Sequence, residues 1–352
     1  MNPIRKPIET PLRKTKIAAP FHRSLASLAL LLLSLLLILP GCSTKGEAAE
    51  KKQVKLKIAD TSANPVFKVA LDKGFFAKNG IDGEIVNFGT PAEGVNALFI
   101  KQVDIAYGAD FPLLNAVSKG DYRIIASTGQ ANDAAAAEWK LFVRDDIKSA
   151  KDLAGKKISF LRGTFLPYLW DEYLKANGIA LKDVNLIGQG AFDEAFIALK
   201  QGDIDAAWFT GSAIFDKFTG LAGVHQLSDM SKTSVRLGSG IVTSEGLIKE
   251  HPEAVAGFLK AIDQAAAYSQ AHPDETADVL YKTVKQPKEA TLKDLPKNPW
   301  QVGFTQAAYD SLLKQKTYMV TAGIIKQDFD LAAKLGLDPL KQALPDKVTY
   351  GK

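Results

Sequence analysis

Hydrophobic and polar positions change rhythm repeatedly along this chain, and the changes mark out its elements. Val54, Leu56 and Ile58 alternate with lysines, the period-2 pattern of a strand with one buried face. After the polar loop Asp60-Thr61-Ser62-Ala63-Asn64-Pro65 the period lengthens. Phe67, Ala70, Leu71 and Phe75 then share one side of a helix expected from Val66 to Lys78. Asn79-Gly80-Ile81 closes that helix and a strand leads to Phe88. Gly89-Thr90-Pro91 is a loop before a helix running to Lys101, and residues 102–108 are a short strand entering a glycine loop. A helix from Phe111 to Lys119 and a strand from Tyr122 to Ser127 follow. Strands and helices alternating at this length predict a mostly parallel sheet covered on both faces.

The stretch from Asp152 to Ile187 has the same layout. Lys157 to Leu161 is a strand, Arg162-Gly163 a turn, and Thr164 an expected helix N-cap. Pro167 falls in the first helical turn, where its missing N–H does no harm. Leu166, Leu169, Trp170, Tyr173 and Leu174 make one apolar face, and Asn177-Gly178 ends the helix. Such a turn aims backbone N–H groups at whatever lies beyond Thr164, which suits a small anion, although a routine strand–helix connection has the same shape. Two sequence matches tie the halves together. Residues 76–81, Phe-Ala-Lys-Asn-Gly-Ile, resemble residues 173–179, and Lys101-Gln102-Val103-Asp104-Ile105-Ala106 resembles Lys200-Gln201-Gly202-Asp203-Ile204-Asp205-Ala206. The matches come in the same order at nearly the same spacing, so two similar α/β lobes are expected.

Leu141-Phe142-Val143 reads as the outgoing connection between lobes and Ser234 to Thr243 as the returning one. Two crossings make a hinge, and the loops at the strand ends face each other across a cleft where a ligand would sit. The remainder is helical: Pro252 to Ala271, Asp274 to Val284 and Phe304 to Gly323. Pro287 to Trp300, with three prolines, reads as a loop, and the tail from Pro339 as a polar surface segment.

Composition changes this picture mainly at the N-terminus. The chain of 352 residues carries a formal charge of +5. Arg5, Lys6, Arg13, Lys14, Lys16 and Arg23 against Glu9 account for all of that surplus, so the body is neutral and no nucleic-acid partner is expected. Leu25 to Leu39 is almost wholly apolar, short for a spanning helix and suited to a secretory signal. It ends at Leu39-Pro40-Gly41-Cys42, which resembles a bacterial lipobox. Residues 1–41 are then a lipoprotein signal peptide, Cys42 the lipidated first residue, and 42–52 a tether. Cys42 is the single cysteine, so an internal disulfide and a cysteine metal cluster are excluded. The four histidines are scattered; His251 and His272 each precede a proline and read as helix starts rather than metal ligands.

An ordered set of pieces now resembles a known family, the solute-binding lipoproteins of ABC importers for nitrate, sulfonates, taurine and thiamine-precursor pyrimidines. The pieces are residues 74–81, Gln102-Val103-Asp104-Ile105, residues 152–158 with Gly163-Thr164, Gly202-Asp203-Ile204-Asp205-Ala206, and Glu250-His251-Pro252-Glu253. The resemblance implies an α/β, two-lobe, type II periplasmic-binding-protein-like fold whose two crossovers form a hinge. Residues 53–140 plus 235–352 would make lobe I, and 141–234 lobe II. It also implies a monomer without catalysis, metal or cofactor, extracytoplasmic and lipid-anchored to a bacterial membrane, which delivers a small-molecule ligand to permease subunits driven by a cytoplasmic ATPase.

By position in the loops, the resemblance implies ligand contacts at Ser62, Gly89, Thr90, Ala109, Asp110, Gly163, Thr164, Trp208, Thr210 and Ser239. Arg162 joins them by charge and Phe165 as its neighbour across Gly-Thr. Structural roles compete at several positions: Thr90 and Thr164 as caps, Trp208 as core, Arg162 as a solvent-facing side chain, Asp110 as a cap of the helix after it. The Gly-Thr loops and Arg162 favour an organic anion, an aliphatic or aromatic sulfonate or a nitrate- or taurine-like ligand. Phe111, Trp139, Phe165, Tyr168 and Trp208 could line a pocket for a ring, so a thiamine-precursor pyrimidine is the alternative, as is a sensor without an importer. Taurine-type members carry an acid on the returning crossover, where this chain reads Leu237-Gly238-Ser239-Gly240.

Overall fold

Ten strands alternate with helices along the chain: β1 (Val54–Thr61), β2 (Ile81–Phe88), β3 (Ile105–Ala109), β4 (Tyr122–Ser127), β5 (Trp139–Arg144), β6 (Lys157–Leu161), β7 (Asn185–Gln189), β8 (Ala206–Thr210), β9 (Val224–Asp229) and β10 (Ser239–Ser244). The structure, a computed structural model, describes residues 53–129, 132–297 and 299–351. The segments expected to be a signal peptide and a tether, with Cys42, lie outside the described residues. Among the described residues, no helix is long and apolar enough to cross a membrane.

The strands form two five-stranded sheets, ordered β2-β1-β3-β10-β4 and β7-β6-β8-β5-β9. In the first, β1 pairs in parallel with β2 and β3, and β10 lies antiparallel between β3 and β4. In the second, β6 pairs in parallel with β7 and β8, and β5 lies antiparallel between β8 and β9. This is the type II arrangement expected from the sequence. The antiparallel member of each sheet is the strand that has just crossed over from the other one. Leu141-Phe142-Val143 is therefore no mere connector but the centre of β5, with all three residues buried.

The internal repeat is visible bond by bond. The amide of Asn79 donates to Phe75 O at 2.8 Å and that of Asn177 to Tyr173 O at 2.7 Å, each closing its helix before a glycine of positive φ, Gly80 or Gly178. Lys57 N–H, in β1, donates to the Asp104 carboxylate at 2.7 Å, and Lys157 N–H, in β6, to Asp205 at 2.8 Å. These acids start the turn into β3 and β8, so one side chain ties two neighbouring strands in each sheet.

Several boundaries differ from expectation. The helix expected over Val66 to Lys78 is two, Val66–Asp72 and Phe75–Lys78, broken at Gly74 with φ 69°. The helix after β6 begins at Leu166, so Phe165 and not the expected Thr164 stands at its N-cap. Gly163, at φ 74°, turns the chain first, and the Thr164 hydroxyl donates to Leu161 O at 2.7 Å while receiving Leu166 N–H at 3.3 Å. The proline-rich stretch 287–300 contains a helix, Lys288–Asp294, because its prolines stand outside that helix. The tail also packs: Asp338–Ala343 is helical, Leu340 and Val348 are buried, and Phe304 bridges to Val348. Leu340→Ala is therefore expected to lower unfolding free energy by about 2–5 kcal/mol in urea denaturation, whereas a tail lying loosely over the surface would lose almost nothing.

Candidate functional site

The C-terminal end of β3, the end of β4 and the start of β10 from the first sheet meet β5 and the turn after β6 from the second. Between them lies a cavity of about 330 Å³, within one compact unit. Its walls are aromatic on both sides. Tyr107 of β3 stands 5.0 Å from Trp300 between ring centres, and Trp300 rests edge-on against buried Phe67 at 5.4 Å. Opposite, Trp139 at the start of β5 meets Phe165 edge-on at 4.8 Å. Hydroxyls line the floor, with Ser239 Oγ and Thr128 Oγ1 3.1 Å apart. Desolvation pushes the Tyr107 phenol up to about 12; its hydrogen bond with Ser239 opposes this and the charge of Asp60 adds to it. At neutral pH Tyr107 keeps its proton and offers a donor as well as an acceptor.

Of the residues expected from the sequence, Ala109, Phe165 and Ser239 line this cavity, as does Trp139. The turn after β6 approaches the helix Pro91–Phe99 of the first half: a Cβ on Gly163 would lie 3.1 Å from that of Ala92, in the first turn of that helix. Thr90 is buried and caps the helix Pro91–Phe99 through Glu93 N–H at 3.3 Å. Ser62, Gly89 and Thr210 stand outside the lining. Trp208 is core, 1% exposed, its indole packed on Trp170 and Tyr173 at 5.7 and 5.4 Å. Phe209 points to the opposite face of the same strand and packs on Phe192 and Phe218. Phe111 and Tyr168 gather on Tyr318, away from the cavity.

The groups expected to hold an anion are engaged within the chain. Gly89 N–H donates to the Glu93 carboxylate at 3.0 Å, and its repeat equivalent Gly190 N–H to Glu194 at 2.5 Å. In both halves a glutamate four residues on thus answers the exposed N–H at the helix start, a Gly-x-x-x-Glu signal that sequence reasoning passed over. Arg162 is exposed and donates to Gly188 O at 2.6 Å. The charged residue in the cavity lining is Lys297, 3.1 Å from Glu138. Lys68 is buried and donates to Asp60 at 2.6 Å, Thr61 O at 2.8 Å and Asn64 O at 3.1 Å, which braces the 60–65 loop from within. Desolvation raises the Asp60 carboxyl, with Lys68 acting against it.

Asp110 opens the helix Asp110–Ser118 but does not cap it. Its carboxylate receives Gly238 N–H at 2.9 Å, the Ser311 hydroxyl at 2.6 Å and the Gln315 amide at 2.7 Å. It thus joins the returning crossover to the helix Gln306–Thr321. The approach is so close that any Cβ at 238 would meet Asp110 Oδ1 at 2.7 Å and would have to displace the carboxylate from its three donors. Burial pushes the Asp110 carboxyl up to about 6, against its three donors. Tyr107, Thr128 and Trp300 were not singled out from sequence as site residues. Trp300 in particular closes a proline-rich stretch with no periodicity to give it a direction.

A family model described as NMT1/THI5 like matches residues 65–276. A protein of Bacillus subtilis (strain 168) named as an aliphatic sulfonates-binding protein is 26% identical over 276 residues, 76% of this chain and 81% of that protein. One of Haemophilus influenzae named as a thiamine biosynthesis protein is 25% identical over 250 residues, 67% of this chain and 74% of that one. Among solved structures, the alkanesulfonate-binding protein SsuA from Xanthomonas axonopodis pv. citri, bound to MOPS, superposes with a TM-score of 0.70 at 16% identity. It covers 81% of this chain and 99% of its own, and the likeness is one of fold.

Asp110 has a measurable consequence. Its folded-state pKa, about 6, lies above the ordinary 3.8. The folded protein therefore holds this proton more tightly than the unfolded chain, and the group's stabilising contribution is fully present below pH 3.8 and lost as pH rises from there through about 6. Wild type is expected to lose about 2 kcal/mol relative to Asp110→Asn between pH 4 and pH 7, read from urea denaturation of both proteins at each pH. A pH-independent difference would contradict this.

Proposed function

We propose, because the chain belongs to the NMT1/THI5-like family, that it is the extracytoplasmic solute-binding component of an ABC importer. Lobe I (53–140 plus 235–352) and lobe II (141–234) close on a small organic solute and present it to the permease. Cys42 carries the lipid that holds the protein to the membrane, and residues 42–52 are the tether.

The observation that carries this reading is the cavity between two equivalent sheets, with one aromatic pair from each side and a row of hydroxyls beneath. Such walls suit a planar ring inserted between Trp139–Phe165 and Tyr107–Trp300. Hydroxyls that both donate and accept suit the heteroatoms of such a ring. Residues of both sheets and of the turn after β6 line the cavity, so a solute that fills it favours the closed form over the open one.

A second reading keeps the ring and adds an acidic tail, a sulfonate in the first instance. Lys297 in the lining favours it, since its partner Glu138 could yield the ammonium to a ligand, and the name of the Bacillus relative supports it. Lys297→Ala should weaken an aryl sulfonate about tenfold and leave an uncharged ring nearly unchanged.

A thermal-shift panel on the purified protein tests the function: aryl and alkyl sulfonates, nitrate, taurine, aromatic carboxylates and aminopyrimidines. A true ligand at one hundred times its dissociation constant adds about 2.7 kcal/mol of stability. Trp139→Ala should weaken the best ring-bearing ligand about tenfold or more by isothermal titration. A panel in which no compound raises the melting temperature would remove the assignment.

A further inference from the structure

The segment after the helix Pro273–Val284 belongs to neither sheet, yet it touches both sides of the cleft. On the first side, Gln270 donates to Leu295 O at 3.1 Å and Lys288 pairs with Asp278. On the second, Asp294 receives Ser212 N–H on both carboxylate oxygens, at 3.0 and 3.1 Å, and the Ser212 hydroxyl at 2.5 Å. Ser212 directly follows β8 by way of Gly211 and is 5% exposed. Lys293 lies 3.3 Å from Asp216 on the same helix, Ser212–Phe218, and Lys297 lies 3.1 Å from Glu138, just before β5. A few residues on, Pro296, Lys297, Pro299 and Trp300 line the cavity.

We propose that Asp294 is a positioning residue for the ligand cavity: by gripping Ser212 it clasps the second sheet to the first and holds Trp300 in place as a wall. The proposal rests on the two-lobe closing action proposed above. All three bonds to Asp294 join this segment, packed on the first side, to the helix that follows β8 on the second, so in the proposed action they exist in the closed form and part when the cleft opens. Their free energy therefore shifts the closing equilibrium even without a solute. The same segment carries an aromatic wall of the cavity, so closure and completion of the site become one event. The clasp reduces the work left for the ligand, and the length and direction of the segment determine how large a ring the cavity accepts. Serine suits position 212 because it adds a hydroxyl donor to its backbone N–H, giving the carboxylate a chelating partner.

Distances between the lobes test this without any ligand, so a failure of the functional reading would not be mistaken for a failure of the clasp. The full chain with Cys42→Ser would carry spin labels at Leu71→Cys and Ile197→Cys. These sites are 47% and 51% exposed, on helices flanking the first and second sheets. Double electron–electron resonance should show mainly one short distance. Asp294→Ala should move the closed-to-open ratio about tenfold toward a longer distance, the shift expected from losing a charge-assisted set of hydrogen bonds. Asp294→Asn, which keeps the shape and one acceptor, should move it less, and Ser212→Ala, which keeps the N–H, should also move it less. Asp294→Ala combined with Ser212→Ala should equal Asp294→Ala alone, because both remove the same contact. Distance distributions unchanged by Asp294→Ala in a protein with native circular dichroism would overturn the proposal, as would additive effects of the two alanine substitutions.

Discussion

One buried carboxylate holds together the part of the molecule that everything else turns on. Asp110 receives the backbone of Gly238 and two side chains of the helix Gln306–Thr321. It thereby fixes where the chain re-enters the first sheet as β10. An isolated carboxylate in such a place would carry a large desolvation cost, and three donors offset it only in part, which is why its pKa rises. The constraint runs on along the chain: Gly238 leaves the carboxylate room, Ser239 then faces the cavity beside Thr128, and β10 slots between β3 and β4. That pin acts with the β10 ladders to β3 and β4 in setting where the return crossover runs and where the cavity floor lies.

Duplication supplies the rest. Each half makes the same strand order, the same asparagine closure before Gly80 or Gly178, the same carboxylate tie from Asp104 or Asp205, and the same glutamate answering Gly89 or Gly190. Two such halves set with their loops facing leave a space between them that neither could enclose alone. The halves differ in what they place there: Tyr107 with Ser239 and Thr128 on one side, Trp139 with Phe165 on the other. The C-terminal third, which has no counterpart in the repeat, adds Trp300 and the Asp294 bridge.

Much of the fold was legible because it rests on local periodicity. The β1 alternation, the apolar face from Leu166 to Leu174 and the Asn-Gly-Ile closures all leave a pattern in neighbouring residues. The site was less legible because its chemistry depends on which end of a side chain is already engaged. Thr164 and Arg162 carry the right groups for an anion, but their bonds to Leu161 O and Gly188 O arise from turn geometry that spacing does not encode. Trp208 looked as available as Trp139 in sequence. Only the register of β8 turns it toward Trp170 while Trp139 sits at a strand end facing the cavity. Trp300 and Asp294 were hidden for a different reason. They follow prolines in a segment without periodicity, and their partners lie far away in the chain.

The central claim is that a ring-bearing solute sits between the two aromatic walls. The chain's four tryptophans are well placed to test it: Trp139 and Trp300 line the cavity, while Trp170 and Trp208 are buried in the core of the second lobe. Fluorine NMR of protein labelled with 5-fluorotryptophan, assigned by single Trp→Phe substitutions, reads all four at once during titration with the tightest-binding compound. The account predicts that the Trp139 and Trp300 resonances move together and saturate at one equivalent, while Trp170 and Trp208 stay nearly still. Binding that leaves Trp139 and Trp300 unmoved would contradict it.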